Sequence, residues 1–248
     1  MSTTADGTLN GLTFADEDII WLNPDTGVYT MYFDGSDVGI TGDVDAFDLL
    51  PDGSLLLSLE AAGSVPGLGT VDDSDIVRFV PTSLGSTTAG VFEWYFDGSD
   101  VGLTVDNEDV DAISVLPDGR LLVSTLGAFG VTGASGEDED ILQFTPTTLG
   151  AATSGAWALY FDGSDVGLAD NSSEDLNGVW IAANGYLYLS TVGNFAVTGV
   201  SGANEDIFVF LPATLVATTS GTYQTTLYLD GSVYGLGAFA LDAIHVLP

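Results

Sequence analysis

The chain has 248 residues, 46% of them hydrophobic, and sets 36 Asp and Glu against two Arg and one His, a formal net charge of -34 at pH 7. Such a surface repels nucleic-acid phosphate and anionic membrane, and leaves cations, neutral surfaces or basic proteins as partners. The apolar content is too high for disorder, the absence of Cys excludes disulfides and thiolate chemistry, and no apolar run reaches the roughly 18 residues of a membrane span.

Taken in chain order, Met1 to Asp6 does not read as a signal peptide. Asp6-Gly7 reads as a turn, and strands are predicted over Thr8–Phe14, Asp18–Leu22 and Val28–Phe33. The last of these runs into Tyr32-Phe-Asp-Gly-Ser-Asp-Val-Gly39. The phrase returns at Tyr95 and Tyr160, and as Tyr-Leu-Asp-Gly-Ser-Val-Tyr-Gly at Tyr228. The chain is therefore an array of one supersecondary unit.

One complete unit begins with an apolar strand, Asp111 to Pro117. The turn Pro117-Asp118-Gly119 follows, with Gly supplying a left-handed residue. A second strand is predicted over Arg120–Leu126, a glycine-rich loop over Gly127–Glu139 and a third strand over Asp140–Thr145. A neutral loop, Pro146–Gly155, then leads to a fourth strand, Trp157–Phe161. Strands apolar on both faces must be covered on both.

Four antiparallel strands per unit, stacked radially, predict an all-β four-bladed β-propeller. One domain would span residues 1–248, with blades near 43–100, 109–165 and 175–230. The last blade would take one strand from Leu241–Pro248 and three from residues 6–37, closing the array without a free edge.

Four units, with Asp111-Ala112-Ile113 and Asp242-Ala243-Ile244 opening inner strands, resemble the hemopexin-like propeller. The resemblance implies ions in a central channel faced by the strand openings at Asp45, Asp111, Asn177 and Asp242. The longer units and the missing closing disulfide depart from that family. The Phe-Asp-Gly-Ser-Asp-Val-Gly-Leu repeats resemble those of large secreted or surface proteins of environmental bacteria, which implies no particular activity.

In an up-and-down blade the connections alternate between two faces, and this rule puts all but seven of the 36 acids on the crossover face. The seven are Asp6, Asp25, Asp48, Asp52, Glu60, Glu93 and Asp118. The fourth strands leave through Asp34 and Asp37, Asp97 and Asp100, Asp162 and Asp165, and Asp230. The first strands open with Asp43 and Asp45, Asp109 and Asp111, Asp175 and Asn177, and Asp242. The third strands open with Asp18, Asp75, Asp140 and Asp206. Uncompensated carboxylates at this density call for a positive ion. Oxygen donors in flexible loops suit Ca²⁺, while the absence of Cys and the single His disfavour Zn²⁺ and Cu²⁺.

Bland readings stand beside this one. Asp34, Asp97, Asp162 and Asp230 could bond only their own turn, and the third-strand Asp could be structural acceptors. Acidity could also serve solubility in a salt-rich habitat. His245, Arg78 and Arg120 read as incidental, and Trp94 and Trp157 as packing between blades. Phe129 and Phe195 fall on the acidic face, as core plugs or as an aromatic platform.

Near-identical units suit repeated sites better than one asymmetric active site. The leading expectation is a non-catalytic, calcium-binding module of a secreted or cell-surface protein, serving adhesion, spacing, assembly or self-assembly, its export signal outside this chain. A lectin-like, glycan-binding propeller is the alternative. A glycosidase is disfavoured by the lack of a distinctive acid pair outside the repeat.

Overall fold

The computed structural model describes residues 1–216 and 218–247 and is all-β. Among the described residues the only helical segments are five 3-10 turns of three or four residues. None is long and apolar enough to cross a membrane.

Three four-stranded sheets follow one another, each a meander of neighbouring antiparallel strands. The first contains Ala46–Leu49, Leu55–Ser58, Ile76–Ser83 and Ala89–Phe96. The second contains Ala112–Val115, Leu121–Ser124, Ile141–Thr148 and Ser154–Phe161. The third contains Leu176–Ile181, Leu187–Thr191, Phe208–Thr214 and Ser220–Tyr223. The turn between first and second strands needs a left-handed residue, and Gly53, Gly119 and Gly185 supply it at φ +86°, +86° and +83°. The expected neutral loop is shorter than predicted, because Pro146 continues the third strand to Thr148. Proline is tolerated there because pairing with the second strand stops at Phe144, leaving its missing N–H on a free edge.

A fourth set is assembled from both ends of the chain. Ile19–Asn23 pairs with Val28–Phe33 as expected. Thr8–Phe14, however, is not a second strand. It folds as a hairpin, Gly7–Leu9 against Leu12–Phe14, turning through Asn10 and Gly11 at φ +49° and +91°. Asn-Gly is the residue pair such a turn requires. The hairpin matches Gly63–Val65/Gly69–Val71, Phe129–Val131/Ala134–Gly136 and Phe195–Val197/Val200–Gly202, all lying between second and third strands. Three-residue strands rich in Gly carry no readable alternation, which is why the sequence suggests only a loop there.

The second lane of the fourth set is instead held by Met1–Thr3. Met1 and Ile20 exchange backbone hydrogen bonds, Ser2 N–H donates to Ala243 O, and Thr3 bridges Leu241. The first strand expected over Leu241–Pro248 is not formed as a regular strand: of its described residues only Leu241 makes a bridge, to Thr3, because the partner lane is just Met1–Thr3, and Pro248 lies outside the described residues. Met1 pairs with Ile20 as Leu57 pairs with Val77 in the first sheet. A cleft of about 260 Å³ stands beside Met1, lined in part by Ile20, Leu22, His245 and Leu247.

Neighbouring sets are joined by the Phe of the repeated phrase. Phe33 meets Phe79 edge-on with ring centroids 5.1 Å apart, Phe96 meets Phe144 at 5.2 Å, and Phe161 meets Phe210 at 5.3 Å. Edge-to-face geometry adds to the burial of rings that are wholly inside. Trp157, expected between units, lies there: it packs on Phe96 and donates its indole N–H to Val101 O.

The first strands touch one another in sequence. Val115 N–H donates to Asp48, the first strands of the second and third sheets are in contact, Asn177 donates to Leu241 O, and His245 bonds Asp48.

Candidate cation-binding centre

Each residue of the repeated phrase has a local task. Asp34, Asp97 and Asp162 accept from the hydroxyls of Ser36, Ser99 and Ser164 and from the N–H groups of Asp37, Asp100 and Asp165. Asp230 accepts from Ser232 Oγ. The following Gly35, Gly98, Gly163 and Gly231 are required by close approach: an added Cβ would stand 2.5, 2.3, 2.3 and 2.1 Å from the carbonyl oxygens of Glu17, Ser74, Glu139 and Glu205. The second acids, Asp37, Asp100 and Asp165, accept the N–H groups of Thr88, Thr153 and Thr219. Those threonines belong to the third-to-fourth turn of the next set, which the two-face rule places at the opposite end. Accumulated strand twist swings the long outer hairpins onto their neighbours, so these acids act as ties between sets.

The third-strand Asp are acceptors as well. Asp18 receives the N–H groups of Ala15 and Gly35, Asp75 those of Asp72 and Gly98, Asp140 those of Glu137 and Gly163, and Asp206 those of Ala203 and Gly231. Two backbone donors per carboxylate account for this position in all four sets. Buried Glu108 and Glu174, which sequence reasoning did not single out, do the same work: Glu108 ties Thr104 to Gly130, and Glu174 ties Ala169 to Ala196.

The acids opening the first strands behave differently. Buried oxygens without a hydrogen-bond partner occur on Asp43, Asp45, Asp109, Asp111, Asp175 and Asp242, and on Asp138 and Glu139 just before a third strand. Both oxygens of Asp111 are unpartnered. Asn177 is the exception at its position, since it donates to Leu241 O and accepts from Ser190 Oγ.

Burial, then Asp109 and Asp242, holds the Asp45 carboxyl well above its ordinary range. Burial, then Asp175 and Asp109, does the same to Asp111. Burial leads for the others too, with Asp16 and Glu60 next for Asp43 at about 7, Asp73 and Glu60 for Asp109 at about 8, and Asp43 and Glu60 for Asp242 at about 9. Glu60 and Asp6 therefore stand at the acidic end and not, as the face rule had it, away from it. Asp6 falls there because its turn opens the hairpin, and Glu60 because it follows the second strand.

Neither Arg relieves this charge. Arg78 bonds Asp52 and Ser54, and Arg120 bonds Asp118 and Gln143, both at the far end of the first strand. Phe129 and Phe195 are buried, the latter stacked on Phe208 at 4.0 Å, so they are core residues and form no exposed platform.

Two groups of three carboxylates bring their oxygens within 4.8 Å of one another: Asp6, Asp16 and Glu17, and Asp138, Glu139 and Asp170. Two full charges at that distance repel by about 3 kcal/mol at an effective dielectric near 20. A cation bound at either group would relieve that repulsion. Unsatisfied oxygens, hard donors throughout and no compensating base make the opening acids chemically suited to Ca²⁺.

No protein-family model matches the chain, and a search of curated proteins finds no match either.

Proposed function

We propose that the chain is a four-bladed β-propeller acting as a non-catalytic, calcium-binding scaffold of a secreted or cell-surface protein, in adhesion, spacing or assembly. Three like sheets, a fourth set drawn from both chain ends, and first strands in sequential contact support the ring. The observation that carries the ionic reading is the row of buried, unpartnered carboxylate oxygens from Asp43 and Asp45 to Asp242. Asp43, Asp45, Asp109, Asp111, Asp175 and Asp242 would hold the ions, whose role is to neutralise the openings of the inner strands.

Binding to the native state alone stabilises by mass action. The test is thermal unfolding in EDTA and in millimolar Ca²⁺, each at low and at molar NaCl. A calcium-specific rise in Tm at low salt is expected. Equal recovery by NaCl alone would refute specific binding and leave acidity as an adaptation to salt.

His245 is committed to Asp48 and both Arg to turn acids, which supports a scaffold over an enzyme. The burial of Phe129 and Phe195 takes away the aromatic platform on which glycan binding would have rested.

A further inference from the structure

The boundary between the second and third sheets carries a cluster that the opening acids alone do not explain. Asp138 and Glu139 precede the third strand of the second sheet, Asp170 lies in the crossover, and Asp175 opens the third sheet. The oxygens of Asp138, Glu139 and Asp170 lie within 4.8 Å of one another. Glu139 is only 2% exposed and its Oε2 lacks a partner, as does Oδ1 of Asp138. Asp175 is 3% exposed, its Oδ1 is unpartnered, and the charges acting on it are those of Asp138 and Glu139.

We propose that Asp138, Glu139, Asp170 and Asp175 form a discrete divalent-cation site that clamps the crossover to the seam between the second and third sheets. The site rests on the calcium reading above and shares Asp175 with the inner ring, while its other three residues lie outside the repeat positions that suggested that ring.

The four seams supply an internal comparison. At each, the backbone makes the same stitch: Val44 N–H to Asp16 O, Val110 to Asp73, Leu176 to Asp138 and Leu241 to Asn204. At the last seam Asn204 and Ala240 replace Asp138 and Asp175, and the stitch persists at 3.0 Å. The backbone therefore does not need the carboxylates. What they add at the second-to-third seam is a set of hard oxygens, of which Asp138 Oδ1, Glu139 Oε2 and Asp175 Oδ1 are buried without a hydrogen-bond partner. A cation bound there would reinforce the Leu176–Asp138 backbone stitch between these segments.

The test is calorimetric titration of the metal-free protein with Ca²⁺ alone, comparing wild type with Asp170→Asn, Glu139→Gln and the pair Asn204→Asp/Ala240→Asp. Asp170 is exposed, so its substitution leaves folding intact. We expect Asp170→Asn to weaken one class of site by about tenfold, since ligand charge sets calcium affinity. Glu139→Gln should abolish that class while the remaining sites persist, and the double variant should gain binding at the last seam. Calcium binding by wild type with an unchanged titration for Asp170→Asn and Glu139→Gln would overturn the seam site and spare the calcium scaffold. No binding by wild type would overturn both.

Discussion

His245 Nδ1 stands 2.8 Å from Asp48 Oδ1, joining the C-terminal segment to the first strand of the first sheet. The second oxygen of Asp48 accepts the N–H of Val115, so one buried carboxylate holds three consecutive sets together. His245→Ala would leave that carboxylate short of a partner and should lower stability by about 2 kcal/mol. Arg78→Ala, which breaks a solvent-exposed pair with Asp52, should cost clearly less. Urea unfolding of the two variants checks the order.

The metal-free protein should lose stability as pH rises. Asp43, Asp109, Asp175 and Asp242 have folded pKa values near 7, 8, 8 and 9 against an ordinary 3.8. The folded state holds protons that the unfolded state releases, so this contribution is complete below about pH 4 and disappears through pH 7 to 9. Tm in EDTA should therefore fall from pH 5 to pH 9. Calcium replaces those protons, so the Tm increment from Ca²⁺ should grow over the same range.

Asp75→Ala separates structural acids from ion-binding ones. It strips the acceptor from the N–H groups of Asp72 and Gly98 and should cost about 2 kcal/mol in the metal-free protein. The calcium increment in Tm should stay unchanged. Asp111→Asn should do the reverse, removing much of the increment while raising metal-free stability at alkaline pH.

Gly98→Ala tests why the repeated phrase carries glycine at its fourth place. The added methyl would stand 2.3 Å from Ser74 O, and Gly98 already has φ −66°, so the cost is steric and not conformational. A loss of about 1–3 kcal/mol is expected in thermal unfolding.

Much of the architecture was legible because the phrase beginning at Tyr32 repeats: its Phe is a packing knob, its Gly a close approach and its acids local acceptors. The four strands of each of the three complete sheets followed from apolar runs between turn residues. What escaped was short or relational. The hairpin at Phe129–Gly136 has too few residues to show a period, and its counterpart at Gly7–Phe14 passed for a full strand. Met1–Thr3 gained its place only from Ile20 and Ala243, which lie far off in sequence. Among the acids, identical residue types at Asp140 and Asp175 received different roles because backbone donors surround one and not the other. Asp138 was obscured by the run Glu137 to Asp140, in which only the last residue recurs in every unit, and Asp170 lies apart from it in the crossover.

In the proposed ring the break between chain ends falls inside a sheet and not between two sheets. Separating the ends therefore means unzipping hydrogen bonds from Met1–Thr3 one residue at a time, and not parting two flat faces at once. The latch that would close the ring is three residues long.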